Sequence, residues 1–140
     1  GFEYTPDSGS FVLSGTIPGK LGAMTALETL TIRNQKLTGV IPSVSTLTAL
    51  RTLDLGYNTL TGNIPEFKDI KDNIYSISAG SNYLNGTLES GDIASLTELE
   101  YFDMSNNMMF GKLPETMLQT MTTLSRRRSR PRRASRARSS

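Results

Sequence analysis

The chain has 140 residues, of which 36% are hydrophobic, with no cysteine, no histidine and a formal net charge of +2. That length suits one compact domain or a few stacked repeats, and no apolar stretch approaches the roughly 18–20 residues that cross a bilayer. Disulfides, thiol nucleophiles and Cys or His metal sites are excluded; the usual acid–base residue near neutral pH is missing, so neither an enzyme nor a cofactor is expected.

The charge is divided unevenly. Eight of the 15 basic residues lie in 125–140, which holds no acid; the remaining seven face 13 acidic residues, so 1–124 carries −6. No charged segment followed by an apolar run marks a signal peptide. The start at Gly1 fits a mature product or a fragment.

From Phe11 to Leu124 the chain repeats itself. Glycine recurs at Gly15, Gly39, Gly62, Gly86 and Gly111, in steps of 24, 23, 24 and 25. At glycine's average frequency of about 7%, four further glycines in those slots arise by chance about twice in 100,000 trials. Two residues before each glycine stands Leu13, Leu37, Leu60, Leu84 or Met109; two after stands Ile17, Ile41, Ile64, Leu88 or Leu113. Proline follows at Pro18, Pro42, Pro65 and Pro114, with Glu89 breaking the series. These positions define four full units and a partial one at the start.

Residues 1–10 precede the pattern. Their strand slots fall on Glu3, Pro6 and Ser8, so they form a partial repeat or an improvised cap, with Phe2, Tyr4 and Phe11 shielding the first unit. Each full unit then opens with apolar residues at positions 1, 4 and 6: Leu27, Leu30, Ile32; Leu50, Leu53, Leu55; Ile74, Ile77, Ala79; Leu99, Phe102, Met104. Alternation at 4 and 6 predicts a short strand with one buried face. Position 9 reads Gln35, Asn58, Asn82 and Asn107. An amide there offers a donor and an acceptor to backbone groups that turn inward away from water, which predicts a stacked ladder with a strained or shifted rung at Gln35.

After most Ile-Pro slots the apolar spacing becomes three: Leu21, Met24, Leu27; Val44, Leu47, Leu50; Ile93, Leu96, Leu99; Leu118, Met121, Leu124. Three residues per turn predicts 3₁₀-like segments, and the glycine column supplies a tight or positive-φ backbone between strand and turn. The third unit, with Ala79 and only Phe67 and Ile70 in the loop 66–73, is expected to be the softest.

Leu50-Arg51-Thr52-Leu53-Asp54-Leu55-Gly56-Tyr57-Asn58-Thr59-Leu60-Thr61-Gly62-Asn63-Ile64-Pro65 resembles the plant-specific class of leucine-rich repeat, over about residues 11–124. The departures are Gln35, Ala79 and Glu89. The resemblance implies an α/β solenoid, a right-handed superhelix with a parallel concave sheet and a 3₁₀ or loop convex side. It also implies a second, short lateral strand over the Leu-x-Gly-x-Ile-Pro stretch. One repeat cannot bury its own face, so about three or more must stack; four full units suffice. Secreted members of this class carry cysteine-paired caps, which this chain lacks.

The outward positions define the candidate binding face: Thr29, Thr31, Arg33; Thr52, Asp54, Tyr57; Ser76, Ser78, Ser81; Tyr101, Asp103, Asn106. It is polar and mildly acidic, with Tyr57 and Tyr101 as anchors, since tyrosine gives large contact area at low entropic cost. Asp54 and Asp103 stand two repeats apart, roughly 10 Å, with no base or nucleophile to pair with. Asn85-Gly86-Thr87 is the single N-glycosylation sequon. Its asparagine is a candidate modification site, or a filler of a variable slot.

At Leu124 the pattern stops and an Arg/Ser-rich stretch, 125–140, begins; its composition predicts disorder. It reads as a broken frame or retained intron, or as a nucleic-acid or nuclear-import tail. Ser129 and Ser135 match basophilic kinase sites.

Three functions follow. The first is a protein- or peptide-binding module, a fragment of a cell-surface, receptor-like ectodomain. The second is a secreted enzyme inhibitor or cell-wall protein, resembling the polygalacturonase-inhibiting members of the class. The third is an intracellular scaffold whose only route to nucleic acid is the tail.

Overall fold

Each unit lays down two strands, one either side of the asparagine turn, and the strands of successive units stack into two parallel sheets. The computed structural model describes residues 12–88 and 91–119; the segments read as a cap (1–10) and an Arg-rich tail (125–140) lie outside them. The first sheet joins β2 (Thr29–Thr31), β4 (Thr52–Asp54), β6 (Ser76–Ser78) and β8 (Tyr101–Asp103) in that order. The second joins β1 (Ser14–Thr16), β3 (Lys36–Val40), β5 (Thr59–Asn63), β7 (Tyr83–Thr87) and β9 (Met108–Phe110). This is a leucine-rich-repeat solenoid of about four turns, with the four-stranded sheet as its concave wall.

The strands of the concave sheet occupy positions 3 to 5 only, but their ladder runs further. Arg51, Tyr75 and Glu100 donate their N–H groups to Glu28, Arg51 and Tyr75 of the preceding unit at position 2. Ile32, Leu55 and Ala79 donate at position 6 to Asp54, Ser78 and Asp103 of the next. The position-4 residues Leu53 and Ile77 point inward and are 1% and 0% exposed.

The lateral strand implied by family resemblance is present, and in the inner units it is longer than the concave one: five residues against three. Its glycines have φ between 75° and 104°. They also face a second restriction, because the neighbouring strand crosses their open side. A Cβ on Gly62 would sit 2.9 Å from Val40 Cγ1, and one on Gly86 2.8 Å from Asn63 Oδ1. Only a residue with neither a Cβ nor a preference for negative φ satisfies both conditions.

The convex side follows the three-residue spacing. Leu21, Met24 and Leu27 each donate to the carbonyl three residues back, as do Leu47, Leu50, Leu96 and Leu99. Among the described residues only Gly19–Ala23 closes into a 3₁₀ helix, and Gly91–Ala94 forms a single α-turn. Phe67 and Ile70 continue the same pattern in the third unit, with Ile70 donating to Phe67. Both are fully buried, as are Ile74 and Ile77, and Ala79 is 1% exposed. The unit expected to be softest is therefore packed as closely as its neighbour. In the last unit the inward residue is Met117, not Leu118, which is 48% exposed. Met117 donates to Pro114 three residues back, the relation Leu21 has to Pro18, and so it occupies the core slot.

The amides of position 9 tie the two sheets together. Asn58 Oδ1 accepts from Leu37 N, while its Nδ2 donates to the carbonyls of Ile32, Leu55 and Gly56. Asn82 repeats this with Leu60 N, Leu55 O and Ala79 O, and Asn107 with Leu84 N, Ala79 O and Met104 O. Gln35 accepts from Leu13 N at 2.7 Å, so its longer side chain still reaches the backbone donor. Its Nε2 donates to Arg33 O, within its own turn.

Candidate ligand-binding face

The concave strands place alternate side chains outward in two rows, held in register by the parallel pairing. One row runs Thr29, Thr52, Ser76, Tyr101; the other runs Thr31, Asp54, Ser78, Asp103. Thr29, Thr31 and Tyr101 are exposed, while Thr52, Asp54, Ser76 and Asp103 are half-buried. Ser78 is only 6% exposed, between the longer side chains of Asp54 and Asp103. Eight of the twelve sequence candidates thus share one sheet face.

The other four, Arg33, Tyr57, Ser81 and Asn106, lie beyond the strands, in the turn toward the lateral sheet. Position 8 is left-handed in every unit: φ is 57° at Asn34, 56° at Tyr57, 57° at Ser81 and 53° at Asn106. Asparagine tolerates this region, but a bulky tyrosine there is an outlier. Tyr57 is 53% exposed and carries the Arg33 guanidinium 4.9 Å from its ring centroid. Arg33 also reaches Asp54 Oδ2 at 3.4 Å. Ser81 and Asn106 line a recess of 270 Å³ with Asn58, Asn82 and Tyr83.

The two aspartates are held by their own turns. Asp54 Oδ1 accepts from Gly56 N at 3.0 Å. Asp103 Oδ1 accepts from Ser105 N at 2.9 Å and from Ser105 Oγ at 2.6 Å. The Ser105 hydroxyl, then its backbone N–H, hold the Asp103 carboxyl below the usual carboxylate range; partial burial opposes the shift and the Arg33 charge adds to it. Gly56 and Gly80, at position 7, leave space for these carboxylates: a Cβ on Gly80 would stand 2.9 Å from Asp103 Oδ2. Their signal in the sequence was a pair of glycines outside the main glycine column.

Position 2 was missed altogether. Arg51 donates to the Tyr75 hydroxyl, lies 5.5 Å from that ring's centroid and pairs with Glu28 at 3.5 Å. Period-2 reasoning puts position 2 on the core side, but the chain has not yet entered the strand there. The concave face is therefore bordered by an Arg–Tyr pair on each side, Arg33–Tyr57 and Arg51–Tyr75. Asn85 lies elsewhere, exposed on lateral strand β7.

Known proteins agree with this architecture. The leucine-rich-repeat family model matches residues 49–68. No curated protein matches the chain. Among solved structures, a TDR receptor superposes with a TM-score of 0.72 at 29% identity, over 78% of this chain and 19% of that one. The plant peptide hormone receptor RGFR1 in complex with RGF2 gives 0.72 at 27%, over 79% and 18%. The BIR3–SERK2 complex from Arabidopsis thaliana gives 0.70 at 30%, over 79% and 59%. The chain thus spans less than a fifth of the first two. No helix among the described residues is long and apolar enough to cross a membrane.

Proposed function

We propose, from the premise that this chain is a leucine-rich-repeat protein of the plant type, that it is a ligand-binding module rather than an enzyme, of the kind that builds cell-surface receptor-like ectodomains. Its ligand is a protein or an extended peptide, met outside the cell. The observation that carries this reading is the concave face: two in-register rows of Thr, Ser, Asp and Tyr between two Arg–Tyr pairs. Structural neighbours support it, since RGFR1 was solved with RGF2 and the receptor kinase HAESA with an IDA peptide hormone.

On this reading Tyr101, 53% exposed at one end of its row, is the principal apolar anchor. The Asp54 and Asp103 carboxyl groups give these rows an acidic character that favours a ligand with a basic group. The acidic charge of residues 1–124 draws such a ligand in, so binding weakens with added salt.

The test is to pan a displayed library of extended peptides on the full chain, then titrate the selected peptides against Tyr101→Ala and Asp103→Asn. Truncating Tyr101 is expected to weaken binding by about tenfold, and basic peptides should be enriched. Peptides that bind both variants as tightly as the parent place the ligand elsewhere.

A further inference from the structure

The outer face of the lateral sheet changes character along its length. Its first strands expose Thr16, Lys36, Thr38, Thr59 and Thr61, with Val40 a single large apolar side chain among them. Its last two expose Tyr83 at 54%, Met108 at 58% and Phe110 at 66%. Large apolar side chains grouped on a surface mark something that covers them. The sequon Asn85-Gly86-Thr87 lies on that same end. In the strand register Asn85 is opposite Met108 and Thr87 is opposite Phe110. Beside them is a recess of 360 Å³, lined on one side by Asn85, Gly86, Thr87 and Phe110 and on the other by the segment Asn63-Ile64-Pro65-Glu66. The Asn63 carboxamide leans over Gly86, the middle residue of the sequon. Amides and an aromatic ring in one hollow match a pyranose, which has polar hydroxyl edges and an apolar C–H face.

We infer that Asn85 carries an N-linked glycan whose first sugar lies in this recess and shields Phe110 and Met108. The inference rests on the extracellular reading above, because the modification belongs to the secretory route. In the transfer, the Asn85 carboxamide nitrogen bonds to the anomeric carbon of a lipid-pyrophosphate-linked oligosaccharide. The bond from that carbon to the pyrophosphate oxygen breaks, the lipid pyrophosphate leaves with the electron pair, and the amide releases a proton. Once folded, β7 is hydrogen-bonded between β5 and β9, so transfer precedes strand pairing. The glycan occupies the lateral face and leaves the concave rows open to ligand.

The experiment is secretion of the full chain from a eukaryotic host, followed by glycopeptide mass spectrometry and binding of a hydrophobic dye. Asn85 is expected to be glycosylated; Asn85→Gln and Thr87→Ala lose the whole glycan mass, and Thr87→Ser keeps it. Dye binding is expected to rise about twofold in Asn85→Gln and to fall again in Asn85→Gln with Phe110→Ser. Endoglycosidase trimming to a single N-acetylglucosamine should leave the dye signal low, because the first sugar does the covering. An unmodified Asn85 in secreted protein, or a dye signal that ignores the glycan, overturns the inference. Peptide binding by the same preparations separates the two readings. An unmodified chain that still binds through Tyr101 removes this inference alone, whereas a glycosylated chain that binds nothing removes the ligand reading alone.

Discussion

In the four-stranded sheet each unit contributes three residues, and the outward ones differ from unit to unit: Thr29, Thr52, Ser76, Tyr101 in one row and Thr31, Asp54, Ser78, Asp103 in the other. In the five-stranded sheet each inner unit contributes five, and a glycine at positive φ recurs in or directly after every strand. Both sheets are parallel and both come from the same repeats. They differ in what lies over their outward side. On the lateral sheet the residue after each glycine leans across the next glycine, as Val40 does over Gly62. On the concave sheet most outward side chains meet solvent. The glycine column is thus held constant where strands crowd one another, and outward side chains vary where they meet solvent.

The amides that join the two sheets carry the largest expected effect. Asn82 is 6% exposed and makes one accepted and two well-formed donated bonds, all to backbone. Asn82→Ala leaves those groups buried without partners and is expected to cost about 3 kcal/mol. Thr31→Ala, on the open concave row, is expected to change stability by no more than about 0.5 kcal/mol. Urea midpoints of the two variants check the contrast; equal shifts would mean the ladder is not what couples the sheets.

Next comes the glycine column. Gly62→Ala puts a Cβ 2.9 Å from Val40 Cγ1 at a φ of 81°. The positive φ alone is worth about 1–2 kcal/mol against an L-residue. Shrinking the neighbour in Gly62→Ala/Val40→Ala should recover only the part due to the clash. A double variant as stable as the parent would show that the backbone angle carries no cost there.

How much of this was legible in the sequence depended on whether a position had one cause or two. The apolar positions and the amide column each answer to a single demand, burial or hydrogen bonding, so residue type alone located them. Leu53, Ile77 and Asn58 lie where spacing placed them. Position 8 has two demands, a left-handed backbone and an outward side chain. Tyr57 and Ser81 announced only the second, while Asn34 and Asn106 carried the hint of the first. Gln35, expected to be a strained or shifted rung, reaches Leu13 N, but its Nε2 donates to Arg33 O at position 7 and not to the position-6 carbonyl that each asparagine binds. Ala79 by itself predicts a weak third unit, but the small core residue is accompanied by Phe67 and Ile70, both fully buried. The Arg51–Tyr75 pair was illegible because it forms between units 24 residues apart, at a position where alternation has not yet begun.

Tyr57 offers a smaller effect with a sharper meaning. Its backbone φ of 56° suits asparagine better than tyrosine, so Tyr57→Asn relieves strain of about 1 kcal/mol. It also removes the Arg33 stacking contact, worth about 0.5–1 kcal/mol at an exposed site. The two nearly cancel, and the melting temperature is expected to stay within a few degrees of the parent. Peptide affinity, by contrast, should fall if the tyrosine is kept at this angle for contact with the ligand. A variant that binds normally and is also more stable would leave Tyr57 without a part in recognition.

The smallest effect concerns Asp103 and distinguishes its fixed carboxylate from the open hydroxyl rows around it. Its folded pKa lies below the ordinary 3.8, chiefly through the Ser105 hydroxyl and then the Ser105 N–H. A group whose pKa is depressed on folding contributes stability above its unfolded pKa and loses it as pH falls through the folded one. The stability difference between the parent and Asp103→Asn should therefore be constant at neutral pH and begin to shrink only below about pH 4. Ser105→Ala removes the largest cause, so Asp103 should titrate closer to its ordinary value, and the shrinkage should be smaller and complete at a higher pH. Arg33→Gln, which removes the weakest cause, should change that end point less. Carboxyl chemical shifts followed through an acid titration read the order directly. If Arg33→Gln moved the titration of Asp103 more than Ser105→Ala did, the carboxylate would be held by the charge across the sheet rather than by its own turn.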